Sequence, residues 1–388
     1  MAAGVQETAD SETSAASSGW LVDPTVAYLN HGGFGALPAV VAAAAARIRL
    51  EIEADPTDLF TRQWQGRVDA VRDRVAQLLG AVRSDLVFVG NATTGTATVL
   101  NSVPLRDGDE ILTTDHRYPA VANQAAALAR RGVRLVEAPV PVDVSSVDAI
   151  VAAVLAGVTD RTRLLVVDHI ASPTGLVFPV RELVAASHAA GVPVLIDAAH
   201  APGQIDIDLG AIGADFWVGN LHKWVCSPRA CAVLHVDPRW QEHISPLVTS
   251  HGYGGGFQPS FDRVATHDPT PLFAVPAALD FWRELGWDDV RRRQHTLATD
   301  GAHVVADRLG TRVAVADEFT AAMRLVQLPR PVTSEEAVSM GYRLTTEHKV
   351  TAYITHHQGS SYVRMCGQVY NAPEHYERLA AALALELG

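Results

Sequence analysis

Only two lysines, Lys223 and Lys349, occur among the 31 lysine and arginine residues of the chain. Lys223 follows the apolar segment ADFWVGNLH and belongs to the sequence GNLHKW at residues 219–224. A lysine amine can lose its proton and act as a nucleophile or a base, whereas an arginine guanidinium stays charged. Lys223 therefore indicates amine chemistry, and Lys349, in the polar sequence TTEHKV, is expected to lie on the surface.

Polar groups elsewhere in the chain could act with this lysine. Asp197 ends the apolar run VLID, and a carboxylate at a buried strand end is costly unless it faces a cation. The segment NATTGT, residues 91–96, offers hydroxyls and free backbone amides where a helix is predicted to begin, which is typical of an anion site. Asn220 and His222 add hydrogen-bond donors beside Lys223.

Flat rings in the sequence DHRY, residues 115–118, complete a set of four contacts. Pyridoxal 5'-phosphate requires four contacts, which are an anion-binding site, a flat ring, a carboxylate and a lysine. Its phosphate binds a helix start, its ring lies against an aromatic or imidazole face, its pyridinium nitrogen faces the carboxylate, and its aldehyde bonds to the lysine. These residue types together predict pyridoxal phosphate as the cofactor.

Alternating strands and helices between residues 85 and 236 must position these groups. Continuous apolar runs such as TRLLVVDHI (162–170) and VPVLIDAAH (192–200) are typical of a parallel sheet that is buried on both faces. Ligands bind such sheets at the carboxyl ends of the strands. The polar segments expected to converge there are 91–94, 115–118, 168–174, 197–200 and 220–223.

A change of pattern after about residue 265 indicates a second, smaller α/β domain. A long helical region at 271–308 is followed by predicted strands within 319–328, 348–357 and 360–366, and by helices at 334–346 and 373–387. We predict a disordered tail at 1–19, an N-terminal segment lining the active site at 20–36, a large cofactor-binding domain at 37–268 and a small C-terminal domain at 269–388.

Composition argues against several classes of protein. The net charge of −12 gives no positive field for nucleic acid or an anionic membrane, and 48% hydrophobic residues fit a globular protein. The N-terminus lacks a secretory signal, and no apolar segment is long enough to span a membrane. Three cysteines favour a reduced, cytoplasmic setting, and Cys226 and Cys231 lack the second pair of a zinc site, so no metal is predicted.

Seven segments give the chain a resemblance to a known family. They are YLNHGGFG (28–35), GNATTGT (90–96), DHRYPAV (115–121), DHIASPTGLVFPV (168–180), DAAHAPGQIDIDL (197–209), DFWVGNLHKW (215–224) and YVRMC (362–366). In this order the chain resembles the class V aminotransferase group of fold-type I pyridoxal-phosphate enzymes, in the branch of isopenicillin N epimerase and related to the cysteine desulfurases. The resemblance implies fold type I, with a mostly parallel seven-stranded sheet, and a homodimer with shared active sites.

The resemblance also implies which residues hold the cofactor. Lys223 would bond to the aldehyde and move a proton at Cα, Asp197 would pair with the pyridinium nitrogen, and His200 would lie near the phenolic oxygen. Thr93 and Thr94 would bind the phosphate. The remaining expected cofactor contacts are Ala92, Asn220, His222, Ser172 and, reaching across a dimer, Thr270.

Two residues are alternatives for the ring that lies against the cofactor. Relatives in the wider family place a histidine at the position of His116, and this branch has an aromatic residue at the position of Tyr118. The sequence leaves both open, and the same two side chains, or a water, are candidates for a second catalytic acid.

The substrate end of the pocket is expected to carry an arginine. Arg364 resembles the residue that binds the substrate carboxylate through two parallel hydrogen bonds. Asn30 and His31 are expected to line the pocket, and His356 is a candidate for substrate binding or acid–base chemistry.

Several outcomes stay open once the substrate amine has formed an external aldimine with the cofactor. The resemblance favours epimerisation of an amino-acid or peptide-like substrate in secondary metabolism. Elimination of a thiol from a cysteine S-conjugate, decarboxylating deamination and transamination are alternatives. Desulfurase chemistry is disfavoured because the segment 355–361 lacks the nucleophilic cysteine of that group. A regulator without turnover is disfavoured because no basic DNA-binding segment is visible.

Overall fold

The structure is a computed structural model that describes residues 19–388. The predicted disordered tail, residues 1–19, lies outside the described residues except for Gly19. The strands are β1 Ala27–Tyr28, β2 Leu86–Val89, β3 Glu110–Thr114, β4 Arg134–Ala138, β5 Thr162–Asp168, β6 Val194–Asp197, β7 Phe216–Asn220, β8 Ala232–Val236, β9 Met323–Gln327, β10 Val350–Thr351, β11 Tyr353–His357 and β12 Ser360–Cys366.

Helices cover both faces of the main sheet and most of the C-terminal third. They are α1 His31–Phe34, α2 Ala39–Ala54, α3 Pro56–Asp58, α4 Trp64–Leu79, α5 Ala92–Ser102, α6 Pro119–Leu128, α7 Val147–Leu155, α8 Val180–Ala189, α9 Leu209–Ile212, α10 Phe257–Asp262, α11 Thr270–Phe273, α12 Val275–Leu285, α13 Trp287–Leu309, α14 Ser334–Thr346 and α15 Pro373–Leu387. A π-helical turn at Leu59–Gln63 joins α3 to α4.

Seven strands form the main sheet, in the order β2-β8-β7-β6-β5-β3-β4. Strands β3 to β7 pair in parallel, and β8 is antiparallel to both of its neighbours. The apolar strands are buried along nearly their whole length; Leu164 and Leu165 on β5 are fully buried. Such side chains each stabilise the fold by about 1.5–3 kcal/mol. The predicted α/β fold with a mostly parallel seven-stranded sheet is confirmed.

A smaller sheet in the C-terminal third has the order β11-β12-β9 and is antiparallel throughout. Helices α13 and α15 pack against each other, and α13 also packs on β9. Near the N-terminus, β1 pairs in parallel with β10. This pairing brings the glycine-rich segment at 30–35 to the region between the two sheets, where it approaches the Lys223 loop.

The predicted helical region at 271–308 is divided into three helices. Pro276 lies in the first turn of α12, and Gly286, with φ +79°, separates α12 from α13, because a left-handed residue ends a helix. Val275 and Ala278 of α12 belong to the same hydrophobic core as the main sheet. The predicted domain boundary at 268/269 stays a prediction.

None of the helices within residues 19–388 is both long and apolar enough to cross a membrane.

Candidate active site

Three strands of the main sheet end side by side in polar residues. Asp168 at the end of β5 is in register with Asp197 at the end of β6, and Asn220 ends the neighbouring strand β7. Lys223 follows three residues later. The strand-end rule for parallel sheets therefore brings together the carboxylates, the amide and the lysine that the sequence singled out.

Lys223 is a partly buried amine with a lowered pKa. Burial is the main cause, the nearby charge of Arg364 adds to it, and Asp197 opposes it, so that the pKa falls to about 8. Its Nζ lies 3.1 Å from Nε2 of His200, a fully enclosed imidazole. An amine with this pKa is partly unprotonated near neutral pH and can accept or donate a proton.

The glycine-rich segment at 30–35 packs against the loop that carries Lys223 and stabilises it. Nε2 of His31 lies 3.1 Å from the carbonyl oxygen of Lys223, and Nδ1 lies 3.0 Å from the hydroxyl of Tyr370. Gly35, with φ +71°, approaches so closely that a Cβ there would lie 2.2 Å from the carbonyl oxygen of His222. His31 is fully buried, so the expectation that it lines the substrate pocket is wrong; it supports the lysine loop.

Asp197 and Asp168 are two buried carboxylates that form no ion pair within residues 19–388. Asp197 accepts a hydrogen bond of 3.0 Å from the backbone of Ala199. Burial raises the pKa of both carboxyls, and the charge of Asp197 raises that of Asp168 further. A carboxylate in this setting is stabilised by a cationic partner, which a protonated pyridine nitrogen would provide.

Helix α5 begins beside these strand ends. Asn91 caps it, accepting from the amide of Thr94 at 2.8 Å. Gly95 allows the helix to pack on β7, since a Cβ there would lie 2.4 Å from a methyl group of Val218. Thr93 is exposed, and its amide and hydroxyl form no hydrogen bond within the described part of the chain. The helix start therefore presents free donors suited to a phosphate.

The side chains of Asn220 and His222, which are expected to bind the cofactor, also form hydrogen bonds to backbone groups. The amide of Ala92 donates to the side-chain oxygen of Asn220 at 2.8 Å, which ties α5 to the end of β7. Nδ1 of His222 lies 2.9 Å from the carbonyl oxygen of Cys231. Asn220 and His222 each keep one side-chain nitrogen without a hydrogen bond to another described residue.

A cavity of about 580 Å³ lies in front of Lys223. Its other lining residues are Asn30, Gly32, Gly33, Phe34, Asp115, Arg117, Tyr118, Pro119, Ser172, Pro173, Tyr353, Ile354, Thr355, His356, His357 and Arg364. Of the expected site residues, Asn30, Tyr118, Ser172, His356 and Arg364 thus share one cavity with Lys223.

Arg364 is a buried guanidinium at the wall of this cavity. It donates to the side-chain oxygen of Asn30 at 2.8 Å and to the backbone oxygen of Ser172. Its guanidinium carbon lies 4.8 Å from the ring centre of Tyr353, and its buried Nε has no hydrogen-bond partner among the described residues. The side chain is held in place and retains capacity for a carboxylate.

The two candidates for the ring that lies against the cofactor differ in their exposure. His116 is 0% exposed, and its nitrogens lie 2.8 Å from the hydroxyl of Thr174 and 2.7 Å from the carbonyl oxygen of Val140. Tyr118 is 42% exposed and lines the cavity. The geometry favours Tyr118 as the ring that faces a ligand.

Two further expected residues differ in their relation to the cavity that contains Lys223. His356 is exposed at the cavity and lies 3.0 Å from the hydroxyl of Ser361. Thr270 begins α11 outside the lining of this cavity, and its buried hydroxyl has no hydrogen-bond partner within residues 19–388.

The sequence places Asp168 only within the converging segment 168–174, and it gives His357 the same candidate role as its neighbour His356, substrate binding or acid–base chemistry. Asp168 carries the same signal as Asp197, an acidic residue that ends an apolar run. His357 is a strand residue with nothing local to distinguish it from His356, and only the packing of β11 buries it at the cavity wall.

Comparisons with known proteins identify the family of the chain. The model of the family described as Aminotransferase class-V matches residues 35–330. A putative L-cysteine desulfhydrase 2 from Oryza sativa subsp. japonica is 34% identical over 93% of this chain and 85% of that protein. The isopenicillin N epimerase of Streptomyces clavuligerus is 31% identical over 94% of this chain and 95% of its own length.

Among solved structures, a complex between the cystine C-S lyase C-DES and its reaction product cysteine persulfide has a TM-score of 0.80 to this chain. The match has 22% identity and covers 92% of this chain and 97% of that one. This likeness shows the fold, fold type I. Enzymes of the matched family use pyridoxal 5'-phosphate, and the residues present fit it: a buried unpaired Asp197, a reactive Lys223 and a helix start with free donors within the described residues.

Proposed function

The chain belongs to the class V aminotransferase family of pyridoxal-phosphate enzymes, and we propose that within it the protein is a C–S β-lyase. The proposed substrate is L-cysteine or a cysteine S-conjugate, and the products are a thiol, pyruvate and ammonia. The L-cysteine desulfhydrase relative supports this reaction type. The observation that carries the proposal is that one cavity is lined by both Lys223, whose pKa is lowered to about 8, and Arg364, which is proposed to bind the substrate carboxylate.

The cofactor contacts are proposed residue by residue. Lys223 would hold the aldehyde carbon, Asp197 would face the pyridinium nitrogen, and the start of α5 with Thr93 and Thr94 would hold the phosphate. Tyr118 would lie against the ring. When bound, pyridoxal phosphate supplies an electron sink that weakens the bonds at the Cα atom of an amino acid.

Each residue around the substrate then has a defined task. Arg364, held by Asn30, binds the carboxylate and fixes the orientation of Cα. The unprotonated amine of Lys223 removes the Cα proton. The C–S bond breaks, the sulfur leaves with the bonding electrons and takes a proton to become the thiol, and the released 2-aminoacrylate reacts with water to give pyruvate and ammonia. A pKa near 8 suits an amine that must both take up and release a proton.

Elimination is favoured over epimerisation because it needs one base. Inversion at Cα requires a second acid on the face opposite the lysine. His116, one candidate, is fully enclosed with both ring nitrogens hydrogen-bonded. Elimination therefore requires only Lys223 as a base, and that residue lines the cavity.

Epimerisation is the second candidate, and Tyr118 is the residue that favours it. Its partly exposed phenol lines the cavity and could return a proton to the second face. The isopenicillin N epimerase relative, which the chain matches over nearly its full length, supports the same reading.

A homodimer with shared active sites is also proposed. Thr270 lies outside the Lys223 cavity, and its buried hydroxyl lacks a hydrogen-bond partner within the described residues. The hydroxyl is enclosed within its own chain, so the support for this arrangement is the family resemblance of Thr270 to the residue that reaches the neighbour's phosphate. Sedimentation with and without Thr270→Val, together with the cofactor affinity, tests this arrangement.

The assay for the lyase is a panel of L-cysteine, S-alkyl and S-aryl cysteine conjugates with the cofactor-loaded protein. Pyruvate and free thiol in equal amounts are expected, and Lys223→Ala should release neither. Absence of pyruvate from every member of the panel would contradict the lyase and favour the second candidate.

A further inference from the structure

We propose that Asp115, His116 and His357 form a binding site for a divalent transition-metal ion of the Zn²⁺ type at the wall of the Lys223 cavity. One ligand atom from each of the three side chains lies within 4.8 Å of the other two. Asp115 and His116 follow β3, and His357 ends β11, so the site would join the main sheet to the C-terminal sheet. It is independent of the proposed reaction.

The distances between the ligand atoms are longer than those of a metal-bound site but within reach of one ion. One oxygen of Asp115 lies 3.8 Å from Nε2 of His116, and the other lies 3.8 Å from Nε2 of His357. Ligands about 2.0–2.2 Å from a tetrahedral zinc ion are separated by about 3.4 Å. The two distances involve different carboxylate oxygens, and one atom from each side chain lies within 4.8 Å of the other two, so the three ligand atoms would have to approach by up to about 1.4 Å to surround one ion.

An unpartnered nitrogen supports the site independently of these distances. His357 is 6% exposed, and its buried Nε2 has no hydrogen-bond partner among the described residues. A buried imidazole nitrogen without a partner is costly, and a metal ion would satisfy it. The His357 ring packs against the His116 ring at a centroid distance of 4.2 Å.

Nε2 of His116 donates to the carbonyl oxygen of Val140 at 2.7 Å, so ligation requires the imidazole to exchange this hydrogen bond for the ion. Nδ1 of the same ring lies 2.8 Å from the hydroxyl of Thr174, which can accept the Nδ1 proton and leave the Nε2 lone pair for the metal. The carbonyl oxygen of Val140, which Nε2 now contacts, would keep its hydrogen bond of 3.0 Å from Gln358. Ligation would therefore leave the Val140 oxygen with a donor.

The donor set selects the class of ion. Two imidazoles and one carboxylate suit Zn²⁺, Co²⁺ or Ni²⁺, whereas Mg²⁺ and Ca²⁺ prefer oxygen ligands. A second group of three possible ligands, Glu347, His348 and Glu386, lies elsewhere in the chain. There Arg343 already binds Glu386 at 2.6 Å, and this cation competes with a metal. That group supplies a matched control.

The test is a titration of the cofactor-loaded protein, after treatment with a chelator, with Zn²⁺ by calorimetry and with Co²⁺ by visible absorption. One equivalent per chain and the absorption of four-coordinate Co²⁺ are expected. His357→Gln should weaken binding at least tenfold, while the adjacent His356→Gln and the distant His348→Gln should leave the affinity unchanged. Asp115→Asn is the second variant, should His357→Gln not fold as judged by circular dichroism.

Three results would overturn the site. They are no stoichiometric uptake at micromolar Zn²⁺, affinity unchanged in both His357→Gln and Asp115→Asn, or equal loss of affinity in His348→Gln.

Discussion

Nζ of Lys223 lies 3.1 Å from Nε2 of His200, and the indole N–H of Trp224 lies 3.5 Å from Nδ1 of the same ring. Burial holds the pKa of His200 well below its usual range, so the ring is neutral and carries one proton. If Trp224 donates to Nδ1, that proton is on Nε2 and is donated to the amine of Lys223. This arrangement favours the unprotonated lysine that the chemistry requires.

The first prediction concerns the pH at which Lys223 becomes reactive. In the cofactor-free protein its acetylation by an amine reagent, followed by mass spectrometry of the Lys223 peptide, should rise with a midpoint near pH 8, the pKa of the buried amine. Arg364 lowers this pKa and Asp197 raises it. Arg364→Gln should therefore move the midpoint up, and Asp197→Asn should move it down. Shifts in the opposite directions would contradict the proposed electrostatics.

The protonation of Lys223 also makes the free energy of unfolding depend on pH. The folded amine has a pKa of about 8, against 10.5 for the ordinary group, so between these values the unfolded chain binds more protons. The contribution of Lys223 to the free energy of unfolding therefore increases as the pH rises from about 8 to 10.5.

The second prediction concerns Arg364. Replacing it by Gln should raise KM for an amino-acid substrate about 10–100-fold, because charge-assisted hydrogen bonds contribute about 1.5–3 kcal/mol. Arg330, a surface arginine paired with Glu336, is the matched control, and Arg330→Gln should leave KM unchanged. An unchanged KM in Arg364→Gln would exclude it as the carboxylate ligand.

Tyr118 gives the third prediction. Tyr118→Ala should weaken cofactor binding by a factor of about 2–10, as expected for the loss of one aromatic contact, while Tyr118→Phe should keep both cofactor affinity and lyase activity. Tyr342→Ala, on the exposed face of α14, is the control. Loss of turnover in Tyr118→Phe would instead identify the phenol as an essential acid and support epimerisation.

The fourth prediction concerns Gly35. Gly35→Ala should destabilise the protein by about 2–3 kcal/mol and reduce cofactor loading, because φ is +71° and a Cβ would meet the His222 carbonyl oxygen. Gly341 is the opposite case, since it lies inside α14 and a Cβ there would have open space around it. Gly341→Ala should stabilise by about 0.5–1 kcal/mol. Urea denaturation measures both, and equal effects would contradict the packing argument.

Much of the fold follows from the sequence because its signals are local. The helices predicted at 334–346 and 373–387 and the strand at 360–366 have those bounds in the structure. The spacing of apolar residues, and the residue types at the ends of each helix or strand, determine such elements. The convergence of Asp197, Asn220 and Lys223 also follows, since parallel strands share one carboxyl edge.

The remaining site residues depend on contacts between distant parts of the chain. His31 has the type of a site residue, but the groups that enclose it, Tyr370 and the Lys223 loop, are separated from it by 339 and 192 positions. The choice between His116 and Tyr118 likewise depends on Val140 and Thr174. No local pattern encodes these contacts.

One reaction in heavy water tests the proposed lyase activity most directly. The cofactor-loaded protein is incubated with L-cysteine S-conjugates, and pyruvate, thiol and recovered substrate are measured by mass spectrometry and chiral chromatography. The account predicts pyruvate and thiol in equal amounts, with recovered substrate of unchanged configuration. Recovered substrate that carries one deuterium at Cα with inverted configuration, and no pyruvate, would contradict it.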